Sequence, residues 1–529
     1  MKNITDIDKK SFLIPVYYFT QSSYKYSKLI LFSLFVTLGC NNNNDQGTYL
    51  KILLDQPPLT LNPRNALDLN AQKITPLLYR GLTKFDRNLK LQSDLAEKWQ
   101  ALENGKTWKF WIKPGQTNHE GKIISAEQIK VCLEEYRIGK PWSVLGKTFS
   151  DWIKTETDNH GALIIYLKHS DPYFARNASV LRYFTSPGHR PCEEPIHENQ
   201  IIGSGLYRLK DRTAKISQEL NLVPVETSHV PLKILFVRDE VTRSMTLMRG
   251  EADAAQNALS LTKTRWFQTS FSNDYLLFEK DGTSVSYLAF NLKDPILSKK
   301  EIRQAIALSI DRQDIVKHKF HRFCQIAGSL LSPLLDESVQ VSFAYNPALA
   351  EQLLDQSGYT RQNNGGIRFT LTYKTTPVRE GYETALMFKE MLKKVGINLV
   401  LTVVEPAVFL ASVKKGNFQL FSSRWVGVAD GSILFNTLHS KQKNNRVFYN
   451  DLAMDQWLEQ AMQEVSLEKR KELLKLVQIK MGKDLPYFPL WYWNNALLIK
   501  KEKGKNFKSE YLSIKGALEP LTEIQDSQP

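Results

Sequence analysis

Leu95-Ala96-Glu97-Lys98-Trp99, followed in order by Asn104-Gly105, Lys113-Pro114-Gly115, Glu120-Gly121 and Ser125-Ala126-Glu127-Gln128, reads as strand, turn, strand and capped helix. Asn104-Gly105 supplies the residue types of a type I′ hairpin turn, in which both central positions take positive φ. After it Trp108, Phe110 and Ile112 alternate with Thr107, Lys109, Trp111 and Lys113. That is the two-residue period of a half-buried strand. Ser125 with Gln128 three positions later forms a capping box, where each side chain satisfies the other residue's backbone N–H. Ile129, Cys132, Leu133 and Tyr136 then fall at i, i+3, i+4 and i+7, the apolar face of a helix, with Cys132 as a core residue.

The same alternation of elements continues outward. Asn346-Pro347 offers an N-cap and a first-turn proline, and Gly358 ends that helix after Leu353-Leu354. Leu386 to Val395 is amphipathic, stopped by Gly396 and followed by a strand from Ile397 to Val404. Short strands mixed with helices of this length argue for an α/β protein. A length of 529 residues exceeds one ordinary core and implies two or three domains. Hydrophobic residues at 42% and charged residues at 24% exclude extended disorder. Lys plus Arg number 70 against 55 Asp plus Glu, a surplus of +15. It is spread along the chain without the basic blocks of a nucleic-acid arm, so no nucleic-acid partner is expected.

Leu29 to Leu38 is an uncharged apolar run preceded by Lys25 and Lys28 and followed by Gly39-Cys40. Ten residues fall short of the roughly 20 that span a hydrocarbon core. A basic flank, a short apolar stretch and a small residue at the cut describe a secretory signal over residues 1–39. Val36-Thr37-Leu38-Gly39-Cys40 resembles a bacterial lipoprotein signal, which implies lipid on Cys40 and a tether over 40–47. Lipidation would leave Cys132, Cys192 and Cys324, at most one disulfide. Pairing of Cys192 with Cys324 stays open at this level.

Taken in order, these motifs resemble the family 5 extracellular solute-binding proteins, the oligopeptide and dipeptide receptors of ABC importers. Further matches are Gly203-Ser204-Gly205-Leu206-Tyr207, Arg249-Gly250-Glu251-Ala252-Asp253, Tyr287-Leu288-Ala289-Phe290-Asn291 and Ile302-Arg303-Gln304-Ala305-Ile306-Ala307. Ile310-Asp311-Arg312, Lys415-Gly416-Asn417-Phe418, Trp425 and Pro486-Tyr487-Phe488-Pro489-Leu490 complete the set. The resemblance covers about residues 50 to 510. It implies a two-lobed periplasmic-binding-protein clamshell with an extra subdomain inserted in the first lobe. Lobe I would comprise 48–70, 201–288 and a return over 497–529. The insert would be 71–200 and lobe II 289–496, with crossings near Leu288 and Ala496.

The function implied is capture of a short peptide between the lobes and delivery to a permease and its ATPase. The protein would be a monomer, lipid-anchored at the periplasmic or outer side of the membrane, with no catalysis and no cofactor. Trp425 is expected to line the cleft, with Arg424 facing a ligand carboxylate or phosphate. Peptide-binding members place an acid three residues after this tryptophan, against the ligand's ammonium; here that residue is Val428. Asp430 and Asp68 are the candidate replacements, and Leu69 would edge the groove. Alternative readings of these residues are a turn acid for Asp430, a surface acid for Asp68, a surface arginine for Arg424 and core packing for Trp425. The Val428 departure also keeps non-peptide ligands open: metal chelate, haem or a peptidoglycan fragment.

Catalytic motifs are missing: no G-x-S-x-G, no H-E-x-x-H and no P-loop occurs. His318, His321 and Cys324 are the nearest approach to a metal set, but i and i+6 diverge by about 120° around a helix, so no metal is expected there. A regulator built on this fold needs a DNA-binding domain ahead of it, and about 47 residues are short for a helix-turn-helix domain of roughly 60. A receptor that senses without transporting is a further alternative.

Overall fold

The computed structural model describes residues 49–524, apart from 138–142, 144, 146–148, 150, 187–197, 213–215 and 362–365. The expected signal, the tether, Cys40 and Cys192 lie outside the described residues. The strands are β1 (Leu50–Leu54), β2 (Thr83–Phe85), β3 (Leu91–Ser93), β4 (Ala96–Leu102), β5 (Thr107–Ile112) and β6 (Trp152–Thr157). Next come β7 (Ala162–Leu167), β8 (Tyr207–Leu209), β9 (Glu219–Pro224), β10 (Leu232–Phe236), β11 (Ala254–Gln256) and β12 (Tyr275–Phe290). The last are β13 (Cys324–Ile326), β14 (Phe369–Thr375), β15 (Ile397–Val403), β16 (Leu420–Trp425) and β17 (Tyr487–Lys500).

Local signals decide many of these elements. The helix Ala126–Arg137 opens on a reciprocal capping box: Gln128 N donates to Ser125 Oγ at 3.3 Å and Ser125 N to Gln128 Oε1 at 3.1 Å. Ile129, Cys132, Leu133 and Tyr136 are all buried in one core. Asn346 caps the helix Pro347–Gln356 by accepting from Leu349 N at 3.0 Å. The Asn104-Gly105 hairpin differs from the expected two-residue turn. Leu102 pairs with Thr107, which leaves a four-residue loop with positive φ at Glu103, Asn104 and Gly105. Contacts with a later segment set this shape. Asp171 N donates to Gly105 O at 3.1 Å, and a Cβ on Gly105 would lie 2.9 Å from Pro172 N.

One mixed sheet, ordered β15-β14-β16-β12-β17-β11-β1-β10-β9-β8, runs through both lobes. On one side Leu50, Ile52, Leu232 and Ile234 share a core with Trp108, Phe110 and Leu163 of the antiparallel sheet β4-β5-β7-β6. The insert is therefore packed directly on lobe I. Gly203 and Gly205 hold the same junction, because a Cβ at either would stand 2.2 Å from a carbonyl of Leu78 or Leu77. On the other side the cores gather around Ile302, Leu371, Phe388 and Phe488, and around Tyr287, Phe421, Leu434 and Leu474. The tip of the β2–β3 hairpin reaches this second lobe, burying Leu89 among its apolar residues.

β12 and β17 carry the sheet from lobe to lobe. Their pairing is regular from Tyr275 to Lys280, breaks, and resumes at Ser284 opposite Trp493. At the break Asp281, Gly282 and Thr283 stand against the single residue Asn494. Only glycine fits at 282, where a Cβ would meet Trp493 O at 2.3 Å. Leu288 lies within the resumed pairing, between Phe488 and Ser422, and Ala496 lies opposite Glu279. Among the described residues no helix is long and apolar enough to cross a membrane.

Candidate functional site

β16 packs between β14, parallel to it, and β12, antiparallel to it. Strand alternation sends its last two side chains to opposite faces. Trp425 is half-buried. Its ring stacks on Tyr287 at 5.7 Å and 20°, and the Arg446 guanidinium lies 4.7 Å from its centroid. Its Nε1 is buried with no hydrogen-bond partner among the described residues. The tryptophan thus serves the lobe II core with one face, as the packing alternative expected, and keeps part of its surface open.

Arg424, on the other face, is 38% exposed and donates to Glu380 Oε1 at 2.9 Å. Its guanidinium lies 3.8 Å from the centroid of Trp493, whose Nε1 donates to Ser286 Oγ at 2.8 Å. Burial pulls the Arg424 pKa down, against the opposing pull of Glu380. Arg424 is thus held by an acid of its own lobe and by an aromatic face.

The loop after β16 turns toward lobe I. Gly427, with φ +60°, donates its N–H to Ser284 Oγ at 3.0 Å. Val428 is only 6% exposed and belongs to the lobe II core. Asp430 takes two partners: Arg176 Nε of the insert at 3.0 Å through Oδ2, and Ser432 N at 2.9 Å through Oδ1. Burial works against the charged carboxylate, but Ser432, Arg176 and Arg470 together hold its pKa below the ordinary value. Arg176 also donates to Ala429 O at 2.5 Å. A second contact lies alongside, where the guanidinium of Arg470, paired with Glu337 at 2.7 Å, sits 3.9 Å from the Tyr173 ring centroid. The two lobes meet here through charge and aromatic contact.

Asp68 and Leu69 sit elsewhere, at the start of the helix Leu69–Leu78. Asp68 is its N-cap, accepting from Ala71 N at 3.0 Å and from Leu59 N at 3.1 Å, one bond per carboxylate oxygen. Leu69 is 43% exposed. Among the described residues neither shares a hydrogen bond or ion pair with residues 424–430. Of the possible metal set, Cys324 is a buried free thiol on β13 and His318 lies 3.6 Å from Asp314. No group of three or more His, Cys, Asp or Glu side chains suited to a metal occurs among the described residues. A separate hollow of about 570 Å³ on lobe I, lined by Lys51, Glu219, Lys233, Arg238 and Glu251, contains none of these residues.

Sequence reading missed Arg176, Lys515 and Arg182 at this junction. Arg176 and Asp430 are 254 positions apart, and no local motif announces such a pair. The one hint was the basic surplus, which has no address. Lys515 lies 4.6 Å from the Phe85 ring centroid, and Arg176 lies 4.8 Å from the same centroid. Burial lowers the Lys515 pKa to about 8; Asp430 opposes the shift, and Arg176 and Arg182 add to it.

Comparison with known proteins places these features in context. The pattern of the bacterial extracellular solute-binding proteins, family 5 Middle, matches residues 90–446. The oligopeptide-binding protein AppA of Bacillus subtilis is 27% identical over 479 residues, 83% of this chain and 85% of the relative. The structure of AppA from Bacillus subtilis with a nonapeptide superposes with a TM-score of 0.73 at 22% identity, covering 91% of this chain and 99% of that one. NikA from Brucella suis with Fe(III)-EDTA gives a TM-score of 0.79 at 18% identity, covering 90% and 100%. These two structural likenesses establish the two-lobed fold.

Proposed function

The chain belongs to the bacterial extracellular solute-binding proteins, family 5, and from that premise we propose that it captures short peptides between its lobes for an ABC importer. The observation that carries this reading is the meeting of the lobes at Asp430 and Arg176, beside the half-exposed end of β16. A ligand lodged there touches both lobes and shifts the population toward the closed form. The break in pairing at Asp281–Thr283 and Asn494 is the pivot, because the chain crosses between lobes there with fewest ladder bonds to strain. The closed form docks on the permease, whose ATPase drives transport. The ligand leaves chemically unchanged.

Cys40 carries the lipid anchor in this reading, and the protein works as a monomer at the periplasmic or cell surface. A Cys40→Ser chain that still incorporates labelled palmitate in cells would remove the anchor. The peptide reading is tested by thermal melting with a mixed pool of short peptides. Saturation at 100 times Kd adds about 2.7 kcal/mol. That amounts to a rise of roughly 2–3 °C for a chain of this size melting as one unit. Trp425→Ala is expected to weaken the captured ligand more than twofold; unchanged affinity refutes the assignment of this cleft. Val428 and the engaged state of Asp430 favour a second reading, a receptor for a blocked peptide or a chelate, in which no free amine has to be met.

A further inference from the structure

Four cations converge where the insert, the C-terminal segment and the loop after β16 come together: Lys84, Arg176, Arg182 and Lys515. Arg176 and Lys515 lie against one ring, that of Phe85. Two acids are within electrostatic reach, and they differ. Asp430 is already engaged, one oxygen by Arg176 and the other by the Ser432 amide. Glu519 lies at no ion-pair distance from these cations among the described residues, and burial raises its carboxyl pKa against the pull of Arg182, Lys84 and Lys515. Its Oε2 is buried with no hydrogen-bond partner among the described residues. Lys84, Arg182 and Lys515 have no carboxylate at ion-pair distance among the described residues.

The cluster adjoins the loop that follows Trp425, where a Cβ on Gly427 would lie 3.8 Å from Lys515 Cγ. The next residue, Val428, is buried in the lobe II core and adds no acid to the cluster. An ammonium arriving here adds a fifth positive charge to four. A carboxylate arriving here gives the partnerless cations their missing partner, and shielding from water strengthens that attraction. We propose that this end of the cleft receives a carboxylate, held by Lys515 and Arg182, and disfavours a free α-ammonium, an inference that rests on the reading of this cleft as the ligand site.

The test titrates the purified full chain with one tetrapeptide pool in three forms: free amine, N-acetylated, and N-succinylated, which puts a carboxylate where the amine was. Tricarballylate serves as a non-peptide carboxylate. The succinylated pool is expected to bind at least tenfold tighter than the free-amine pool. Lys515→Met is expected to cut that preference below threefold, and Arg182→Gln to do the same should Lys515→Met fail to fold. Equal or tighter binding of the free amine, or a preference that survives both Lys515→Met and Arg182→Gln, overturns the carboxylate site and leaves peptide capture standing. Binding of tricarballylate that depends on Lys515, with every peptide form unbound, supports the carboxylate site and removes the peptide reading. Failure of every probe removes both.

Discussion

Arg424 and Lys515 are both cations at the junction of the lobes, and both lie over an aromatic ring, Trp493 for one and Phe85 for the other. Arg424 has Glu380 at 2.9 Å and is self-sufficient within lobe II. Lys515 has Asp430 and Glu519 within electrostatic reach but neither at ion-pair distance among the described residues, and Asp430 belongs to Arg176. A buried cation without its own acid carries a desolvation cost that the fold does not recover. Cost of that kind persists where function needs it. The contrast separates a charge used for architecture from a charge left available.

Substitutions at these residues can break the contrast or sharpen it. Asp430→Ala should have the largest effect, since it strips Arg176 of its partner and removes the acid that most opposes the desolvation of Lys515. A cost of about 2–4 kcal/mol is expected, read by chemical denaturation and as weaker ligand affinity. A loss below 0.5 kcal/mol, the scale of an ordinary surface substitution, would mean that the two lobes do not depend on this pair. Lys515→Met should go the other way, stabilising the unliganded protein by about 1–2 kcal/mol while harming binding of carboxylate ligands.

The pH dependence of that gain follows from the lowered pKa. With a folded value near 8 and an ordinary value of 10.5, the wild-type lysine penalises folding in full below pH 8. The penalty fades as pH rises toward 10.5, because the unfolded chain then holds the extra proton. The advantage of Lys515→Met must therefore shrink between pH 8 and 10. Lys73, lowered to about 8 by burial with Asp55 opposing, adds the same trend to both proteins and cancels in the difference. A constant advantage across that range would show that the lysine is not desolvated. Glu380→Gln should have the smallest effect, within about 1 kcal/mol, as both members of its pair are over a third exposed.

What was legible in the sequence was local. The capping box at Ser125 and Gln128, the cap at Asn346 and the alternation through Trp108 and Phe110 depend on neighbours a few positions away, and the structure contains them. The turn at Asn104-Gly105 was half legible: positive φ was foreseen, but the loop length follows from Asp171 and Pro172. The junction of charges was illegible, since Phe85, Arg176, Asp430 and Lys515 are gathered from separate segments by packing. Family resemblance pointed to Trp425 and marked Val428 as a departure, yet named none of the cations facing them.

β17 has a consequence for how the molecule comes into being. It supplies pairing partners to β11 and, on both sides of the break at Asp281–Thr283, to β12, and it ends at Lys500. The two halves of the main sheet, β12 with β14 to β16 and β1 with β8 to β11, are joined to each other only through β17 among the described residues. Contacts so distant in sequence are slow to form. Joining of the halves therefore trails the pairing within each of them. Each lobe can take shape first, and the sheet becomes one body only when β17 is laid between them.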